Sequence, residues 1–123
     1  MKIGFFGSIN GISDKAFSQL INFINENEIT EAHHTDHIGA DKIFHNLLKK
    51  NCKIIIHPPV KNLCRAYCIG DELKKAKHFS ERIKDIIKES NLILLCIDPK
   101  IDTNVWNIVY YTKKKNKNLK IFI

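Results

Sequence analysis

The sequence lacks the features that mark membrane, secreted and multidomain proteins. No apolar stretch is long enough to cross a bilayer, and the first seven residues have neither the long apolar core nor the cleavage site of a secretory leader. The 123 residues include only five glycines and three prolines, which form no linker, internal repeat or low-complexity segment. We therefore expect one cytoplasmic domain that covers residues 1–123.

The cysteines also lack the spacing of a zinc ribbon. They are Cys52, Cys64, Cys68 and Cys96, and Cys96 lies within an apolar run typical of a buried strand. Reduced thiols, as in a cytoplasmic protein, are the expected state. Cys64 and Cys68 with His57 form at most a partial metal-binding set, and we expect neither a metal ion nor another cofactor.

Arginine is scarce, although the formal net charge is +7. Almost all basic residues are lysines, a bias that an A+T-rich coding sequence produces without selection for binding. The densest basic run, 113–118, falls at a predicted helix end, where cations suit the helix dipole, so we do not expect nucleic acid as a partner. Arg65 and Arg82 are candidates to bind a ligand phosphate or carboxylate. The alternative is that one of them pairs with a structural carboxylate such as Glu81 or Asp85.

The apolar pattern predicts strands and helices in strict alternation. The predicted strands span 2–6, 29–34, 53–57, 91–97 and 119–123, and the predicted helices span 14–26, 41–50, a segment that begins after Ser80, and 103–115. Ser80 is expected to cap the third helix. Pro58-Pro59 and Asp98-Pro99 are expected to end two strands. Residues 60–78 have no clear period, which indicates an irregular excursion over the edge of the sheet.

This alternation predicts an α/β fold: one Rossmann-like domain with a parallel five-stranded sheet and helices on both faces. The expected strand order is 3-2-1-4-5, with the change of direction between strands one and four. The run 91–97 is apolar on both faces, as a central parallel strand requires. Because ligands of such sheets bind at the carboxyl edge, we expect the functional site there.

Polar and glycine-bearing turns follow the first four predicted strands and meet at that edge. They supply Gly7, Ser8 and Asn10; then Thr35, Asp36, His37 and Gly39; then His57; and finally Asp98, Lys100, Asp102, Thr103 and Asn104. Gly7 permits close backbone approach and the Ser8 hydroxyl can bind a phosphate or ribose, although a plain turn favours the same residues. Gly39 and Ala40 would admit an anion to the start of the second helix.

Two aspartates and several histidines surround the second of these turns. Asp36 is placed to bind ribose hydroxyls or a base edge, whereas Asp41 lies in a first helical turn, where a negative charge is favourable. His33 and His34 are neighbours in a strand and point to opposite faces, so they cannot readily share a metal ion. His45 shares a helix face with Asp41, so the two side chains can meet in a structural or a pocket role.

The last predicted helix carries more apolar surface than one face of the sheet needs. Its apolar residues are Val105, Trp106, Ile108, Val109, Tyr110 and Tyr111. A homodimer that packs through Trp106, Val109 and Tyr110 accounts for this excess. The alternative is an edge helix tucked under the segment 60–78.

Three segments, in order, resemble a known family. They are 2–8 (KIGFFGS), 33–45 (HHTDHIGADKIFH) and 56–59 (IHPP). They resemble the small stand-alone members of the SLOG superfamily, Rossmann-like domains that include the LOG phosphoribohydrolases and the DNA-processing A proteins. The resemblance covers nearly the whole chain and implies a nucleotide-type ligand bound by Gly7, Ser8, Asp36, Gly39, Ala40 and Asp41. Related chains also carry an arginine in the excursion, like Arg65.

The chain departs from this family where LOG enzymes carry out catalysis. Related chains have an Arg-Asn pair where this chain has Arg82-Ile83, and a Gly-Thr-Trp turn where it has Thr103-Asn104-Val105-Trp106. LOG enzymes hydrolyse an N-glycosidic bond with an arginine and a glutamate, and no glutamate follows that turn here. The carboxylates left as catalytic candidates are Asp36, Asp98 and Asp102.

These features favour binding over hydrolysis. We expect a sensor or sequestering module for a nucleotide-derived small molecule, such as a signalling nucleotide, at the carboxyl edge of the sheet. The alternative is a nucleoside 5′-monophosphate phosphoribohydrolase or a related N-glycosidase. A third hypothesis, nucleic-acid binding, rests on the positive charge and on the DNA-processing relatives.

Overall fold

The computed structural model describes residues 1–98 and 100–123. In chain order the elements are β1 (Lys2–Gly7), α1 (Asp14–Glu26), β2 (Glu31–His34), α2 (Ala40–Leu48), β3 (Lys53–Ile56), β4 (Glu72–Leu73), α3 (Phe79–Glu89), β5 (Leu92–Cys96), α4 (Val105–Lys114) and β6 (Asn118–Ile121). The predicted helices and strands are present, with ends that differ by a few residues. Pro99, expected to stop the fourth predicted strand, lies outside the described residues.

The six strands form one parallel sheet in the order β4-β3-β2-β1-β5-β6. The predicted α/β fold is confirmed, and the five predicted strands take the predicted order with the change of direction between β1 and β5. These two strands pair from Ile3 opposite Leu92 to Gly7 opposite Cys96. Both are largely buried and lie at the centre of the sheet, as their apolar sequences require.

One strand, β4, is not among the five predicted strands. It lies in the segment 60–78, for which the sequence indicated an irregular structure. It extends the sheet beyond β3, with Glu72 opposite Ile55. The Asp71 carboxylate accepts a hydrogen bond from the Ile54 amide at 2.7 Å, and the Asp71 amide donates to the Ile54 carbonyl oxygen at 2.8 Å. The sequence did not predict this strand because two residues are too few to show a period.

Two helices cover each face of the sheet. On one face α1 and α2 pack over the core, where the rings of Phe5 and Phe44 stack with centroids 4.1 Å apart. On the other face α3 and α4 bury apolar side chains such as Ile86 and Ile108. Every helix among the described residues is too short or too polar to cross a bilayer.

The start of α3 differs from the prediction. The helix begins at Phe79 with His78 at the cap position, so Ser80 lies inside the first turn. The Phe79 ring packs edge-on against Phe6, with centroids 6.4 Å apart. This aromatic contact anchors the helix start earlier than the serine pattern indicates.

Candidate functional site

Two clefts that share Ile97 and Ile101 open at the carboxyl edge of the sheet. The larger, called here the switch-point cleft, has a volume of about 630 Å³ and lies beside the change of strand direction between β1 and β5. Its lining is Ser8, Asn10, Gly11, Ile12, Ser13, Ala16, Cys96, Ile97, Asp98, Lys100, Ile101, Phe122 and Ile123. This cleft therefore combines apolar walls with a few polar groups.

The smaller cleft, called here the minor cleft, has a volume of about 200 Å³. Its lining is Phe6, Gly7, Ile9, Thr35, His37, Phe79, Ile97, Ile101, Asp102, Thr103, Asn104, Val105 and Ile108. The His37 ring stacks on Phe79 with centroids 6.0 Å apart. Burial, helped by the positive charge of Arg82, lowers the pKa of His37 to about 4. The ring is thus neutral at neutral pH and offers one donor and one acceptor.

Gly7 and Gly39 lie where the loop that follows β1 packs closely against the start of α2. A Cβ atom on Gly7 would overlap the Cβ atom of Ala40. Gly39 has a φ of 83°, and a Cβ atom there would lie 2.6 Å from the Ser8 carbonyl oxygen. The Ala40 amide donates a hydrogen bond to the same oxygen at 2.9 Å. The amino end of α2, where the sequence indicated an opening for an anion, therefore packs against the protein's own backbone.

Asp36 and Arg65 form an ion pair that holds the segment 62–70 against the sheet. Asp36 is fully buried, with a φ of 61°. One carboxylate oxygen accepts a hydrogen bond from Arg65 Nε at 2.9 Å, and the other accepts one from the Cys68 amide at 2.9 Å. Arg65 therefore pairs with a structural carboxylate, which was the alternative to ligand binding, but its partner is Asp36 and not Glu81 or Asp85. This geometry gives Asp36 a structural role and does not turn its carboxylate toward either cleft.

Asp41 is buried at the start of α2 and fixes the turn after β2. Its Oδ2 accepts hydrogen bonds from the amide and the hydroxyl of Thr35 and, at 3.1 Å, from the His37 amide. Burial raises the pKa of this carboxyl to about 6, and the hydrogen bonds limit the rise. The sequence allowed a contact between Asp41 and His45. In the structure His45 instead shares a hydrogen bond with His34.

Arg82 is buried below the same turn and joins the ends of β2 and β3 to α3. Its Nη1 donates hydrogen bonds to the carbonyl oxygens of Thr35 at 3.0 Å and of His57 at 3.3 Å. Burial lowers the pKa of its guanidinium to about 10. Its Nε and the Oδ1 of Asp41 are buried without a hydrogen-bond partner among the described residues. Arg82 therefore serves mainly to hold three elements together.

The loop between β5 and α4 contains the two other carboxylate candidates. The Asp102 carboxylate accepts a hydrogen bond from the Asp98 amide at 2.7 Å, and the Asp98 carboxylate accepts one from the amide two residues further on at 2.9 Å. Asp98 lines the switch-point cleft, whereas Asp102 lines the minor cleft with Thr103 and Asn104. The two carboxylates shape the loop and open into different cavities.

The structure divides the expected ligand-binding residues into those at the clefts and those engaged within the protein. Ser8 and Asn10 line the larger cleft, and Gly7, Thr103 and Asn104 line the smaller one. The residues engaged in internal packing or hydrogen bonds are Asp36, Gly39, Ala40, Asp41, His57, Arg65 and Arg82.

Most of the other cleft residues are not among the sequence-derived candidates, and three of them illustrate why. They are Gly11 and Ser13 in the larger cleft and Phe79 in the smaller one. A glycine in a turn, a serine at a helix cap and an apolar residue at a helix start each have a structural explanation in the sequence. Only their position in the fold relates them to the clefts.

The neighbouring histidines of β2 point to opposite faces, as predicted. On the α2 face, His34 Nδ1 accepts a hydrogen bond from the Asp36 amide at 3.0 Å, so His34 Nε2 carries the proton shared with His45 Nδ1, 3.0 Å away. Cys68 lies beside this pair, and burial raises the pKa of its thiol to about 12. A metal ion bound to His34 Nε2 would need the lone pair of that nitrogen, but the neutral ring has only one lone pair, and Nδ1 already uses it to accept the Asp36 amide. The ion would also need a thiolate at Cys68. We therefore assign this cluster a structural role.

Neither a scan against protein-family models nor a search of curated proteins finds a match for this sequence. The resemblance to the SLOG superfamily therefore rests on the three segments that carry it. Function has to be inferred from the clefts and from the side chains around them.

Proposed function

We propose that this protein binds a nucleotide or a nucleotide-derived small molecule in the switch-point cleft. The observation that carries the proposal is a cleft of about 630 Å³ at the change of strand direction. Pockets for small molecules measure roughly 300–1,000 Å³, and Rossmann-like domains bind nucleotides at this point of the sheet. The resemblance to the SLOG superfamily supports the same class of ligand.

The lining of the cleft fits the parts of a nucleotide. Apolar side chains such as Phe122 provide a surface for a base. The Ser8 hydroxyl oxygen accepts a hydrogen bond from the backbone amide of Asn10 at 3.1 Å. The hydroxyl proton of Ser8 therefore remains free to donate to a ligand oxygen. Lys100 is exposed at the same cleft and supplies a cation for a phosphate.

Capture of the ligand fits the carboxylates better than hydrolysis. Cleavage of an N-glycosidic bond needs a carboxylate that stabilises positive charge or activates water. Asp36 is enclosed by protein donors, and Asp98 and Asp102 open into different clefts. We therefore infer a sensor or sequestering module, for example for a signalling nucleotide. A phosphoribohydrolase or related N-glycosidase is the alternative.

Incubation of the purified protein with a nucleotide panel distinguishes the two functions. Mass spectrometry identifies the molecules in the free fraction and those released from the protein on heating. Intact nucleotide from heated protein supports capture, whereas free base and ribose phosphate support hydrolysis. A panel from which nothing is retained or cleaved contradicts both.

Lys100→Glu tests the location of the site. The new negative charge repels a phosphate, so we expect about tenfold weaker binding of the nucleotide, or about 1.4 kcal/mol. Binding of the matching nucleoside, which has no phosphate, should change much less. Isothermal titration calorimetry measures both affinities.

Lys50→Glu is the matched control for this variant. Lys50 is exposed after α2, at the opposite edge of the sheet, and the substitution makes the same change of charge. Nucleotide affinity that is equal in Lys100→Glu and Lys50→Glu places the phosphate elsewhere.

We also propose a homodimer that packs through α4. Trp106 is 70% exposed and Tyr110 is 60% exposed, and they lie one helical turn apart. Val109, the third residue expected at this interface, instead packs partly against the core. Large apolar side chains exposed together are typical of an interaction surface.

Nucleic-acid binding has less support. Lysines near β4 pair with carboxylates at the surface, Lys74 with Glu72 at 2.9 Å and Lys77 with Asp85 at 2.8 Å. These pairs reduce the positive charge left to meet phosphates. Salt-dependent retention of the protein on DNA would support this hypothesis, and failure to bind DNA at low salt would remove it.

A further inference from the structure

Three side chains meet on the α3 face of the sheet, away from the lining of both clefts. They are His33 from β2, His57 just after β3, and Glu89 at the end of α3, and their ligand atoms lie within 4.8 Å of one another. His33 Nδ1 is 2.8 Å from His57 Nε2 and 3.5 Å from Glu89 Oε2. Two ring nitrogens and a carboxylate oxygen therefore converge on one small space.

A fourth residue sets the orientation of His33. The Nε2 of this buried ring lies 2.8 Å from a carboxylate oxygen of Glu31. Because a carboxylate accepts the bond, Nε2 carries a proton, and in the neutral ring Nδ1 keeps its lone pair. That lone pair points at His57 and Glu89. A carboxylate behind a histidine in this way is typical of metal ligands, since it fixes the ring and increases its basicity.

We propose that His33, His57 and Glu89 bind a divalent transition-metal ion, with Zn²⁺ as the ion that this mixture of nitrogen and oxygen donors suits. Zinc bonds of about 2.0–2.2 Å in a tetrahedron place neighbouring ligand atoms about 3.3 Å apart. The separation of 3.5 Å between His33 and Glu89 is already close to this value. The two histidine nitrogens have to separate by about 0.5 Å, as the ion replaces the proton of their hydrogen bond.

The surroundings of the cluster suit a cation. Glu31 and Glu89 add two negative charges. Lys2 lies 3.9 Å from Glu31, and Lys74, whose charge also acts on Glu89 and His57, is itself paired with Glu72 at 2.9 Å. In the metal-free protein His57 Nε2 donates the proton of its hydrogen bond to His33 Nδ1, and a shift of that proton to His57 Nδ1 leaves the Nε2 lone pair for the ion. Glu89 is 40% exposed, which gives an ion a path from solvent and leaves room for a water ligand.

This site differs from the sequence-based expectation of no metal. That expectation rested on His33 with His34, which point to opposite faces, and on His57 with two cysteines. His33 and His57 are 24 residues apart in the chain, and Glu89 lies on a helix that follows the excursion. Only the fold brings the three together. The site is also independent of the proposed nucleotide binding.

Titration of the tag-free protein with Zn²⁺, followed by calorimetry, tests the proposal. We expect one ion per chain. Glu89→Gln removes a ligand charge at a partly exposed position, and we expect at least about tenfold weaker binding; Glu31→Gln, which leaves all three ligands, should weaken it about tenfold. Glu81→Gln is the matched control, because Glu81 is exposed on the same helix, and it should leave the affinity unchanged.

Cobalt distinguishes this cluster from the one that contains Cys68. Bound Co²⁺ should give the visible bands of a four-coordinate site without a thiolate-to-cobalt charge-transfer band, and Cys68→Ser should bind it as the wild type does. His57→Gln should abolish binding, with circular dichroism to verify that the fold is kept. Absence of saturable binding, equal affinity in Glu89→Gln and Glu81→Gln, or loss of binding in Cys68→Ser would overturn the proposal.

Discussion

Several histidines near the ends of β2 and β3 are held neutral by burial. Burial lowers the pKa of His34 to about 3 and the pKa values of His37 and His57 to about 4. The unfolded chain, with values of about 6.5, binds more protons between these limits, so the free energy of unfolding decreases as the pH falls from about 6.5 to about 4. Asp41 has the opposite effect. Because its pKa is raised to about 6, the folded chain binds more protons there than the unfolded chain, so this residue increases the free energy of unfolding as the pH falls from about 6 to about 4.

His37→Gln should reduce the loss of stability in acid. For a pKa that falls from about 6.5 to about 4 on folding, the penalty at about pH 4.5 is about 2 kcal/mol, and glutamine does not carry it. Urea unfolding at about pH 7 and about pH 4.5 measures the free energy of unfolding of variant and wild type. The exposed His78 provides the control variant His78→Gln. If His37→Gln and wild type lose the same free energy between the two pH values, the neutral, buried state of His37 is contradicted.

Strands and helices follow from the apolar pattern, whereas the site depends on contacts between distant segments. Strict alternation and right-handed crossovers leave few sheet orders, so the order of the five predicted strands could be derived. The partners of Asp36 could not, because Arg65 and Cys68 lie 29 and 32 residues further along the chain. Ser8 and Asn10 could be placed at the carboxyl edge because they follow a strand directly. The loop after β1 fills the space beside Gly39. This contact depends on tertiary packing, which no local sequence pattern reveals.

The junction of the first loop with α2 can be tested through two glycines of positive φ. Gly39 and Gly11 have φ values of 83° and 100°, but a Cβ atom at Gly39 meets backbone at 2.5 Å, whereas one at Gly11 meets nothing within 4 Å. We expect Gly11→Ala to cost about 1 kcal/mol through backbone strain, and Gly39→Ala to cost at least about 1 kcal/mol more through the clash. Urea unfolding of the two variants gives both values. Equal destabilisation would show that the loop and α2 do not pack closely.

Among the described residues, many large apolar side chains are exposed, and the most exposed of them lie on α4 and in the segment 62–70. Trp106 and Tyr110 project from α4, and Leu63, 85% exposed, lies in the segment that Asp36 anchors. A helix face has a fixed shape and can pair with its own copy about a twofold axis, so that both aromatic residues contact the partner. The segment 62–70 also exposes Tyr67 and Ile69, but it is irregular and does not align these side chains on one helix face. The association proposed for this protein should therefore depend on α4.

Trp106→Glu should shift the protein from dimer to monomer. The substitution removes the largest exposed apolar side chain of α4 and places a negative charge where two copies of the helix would meet, which disfavours association by charge repulsion and by loss of buried apolar area. Sedimentation velocity over a micromolar concentration series measures the dissociation constant, which should rise at least about tenfold, or about 1.4 kcal/mol. Leu63→Glu makes the same type of change at an exposed apolar residue outside α4 and should leave the constant unchanged. A wild-type protein that sediments only as monomer refutes the dimer, and a dimer that persists in Trp106→Glu but dissociates in Leu63→Glu moves the interface to the segment 62–70.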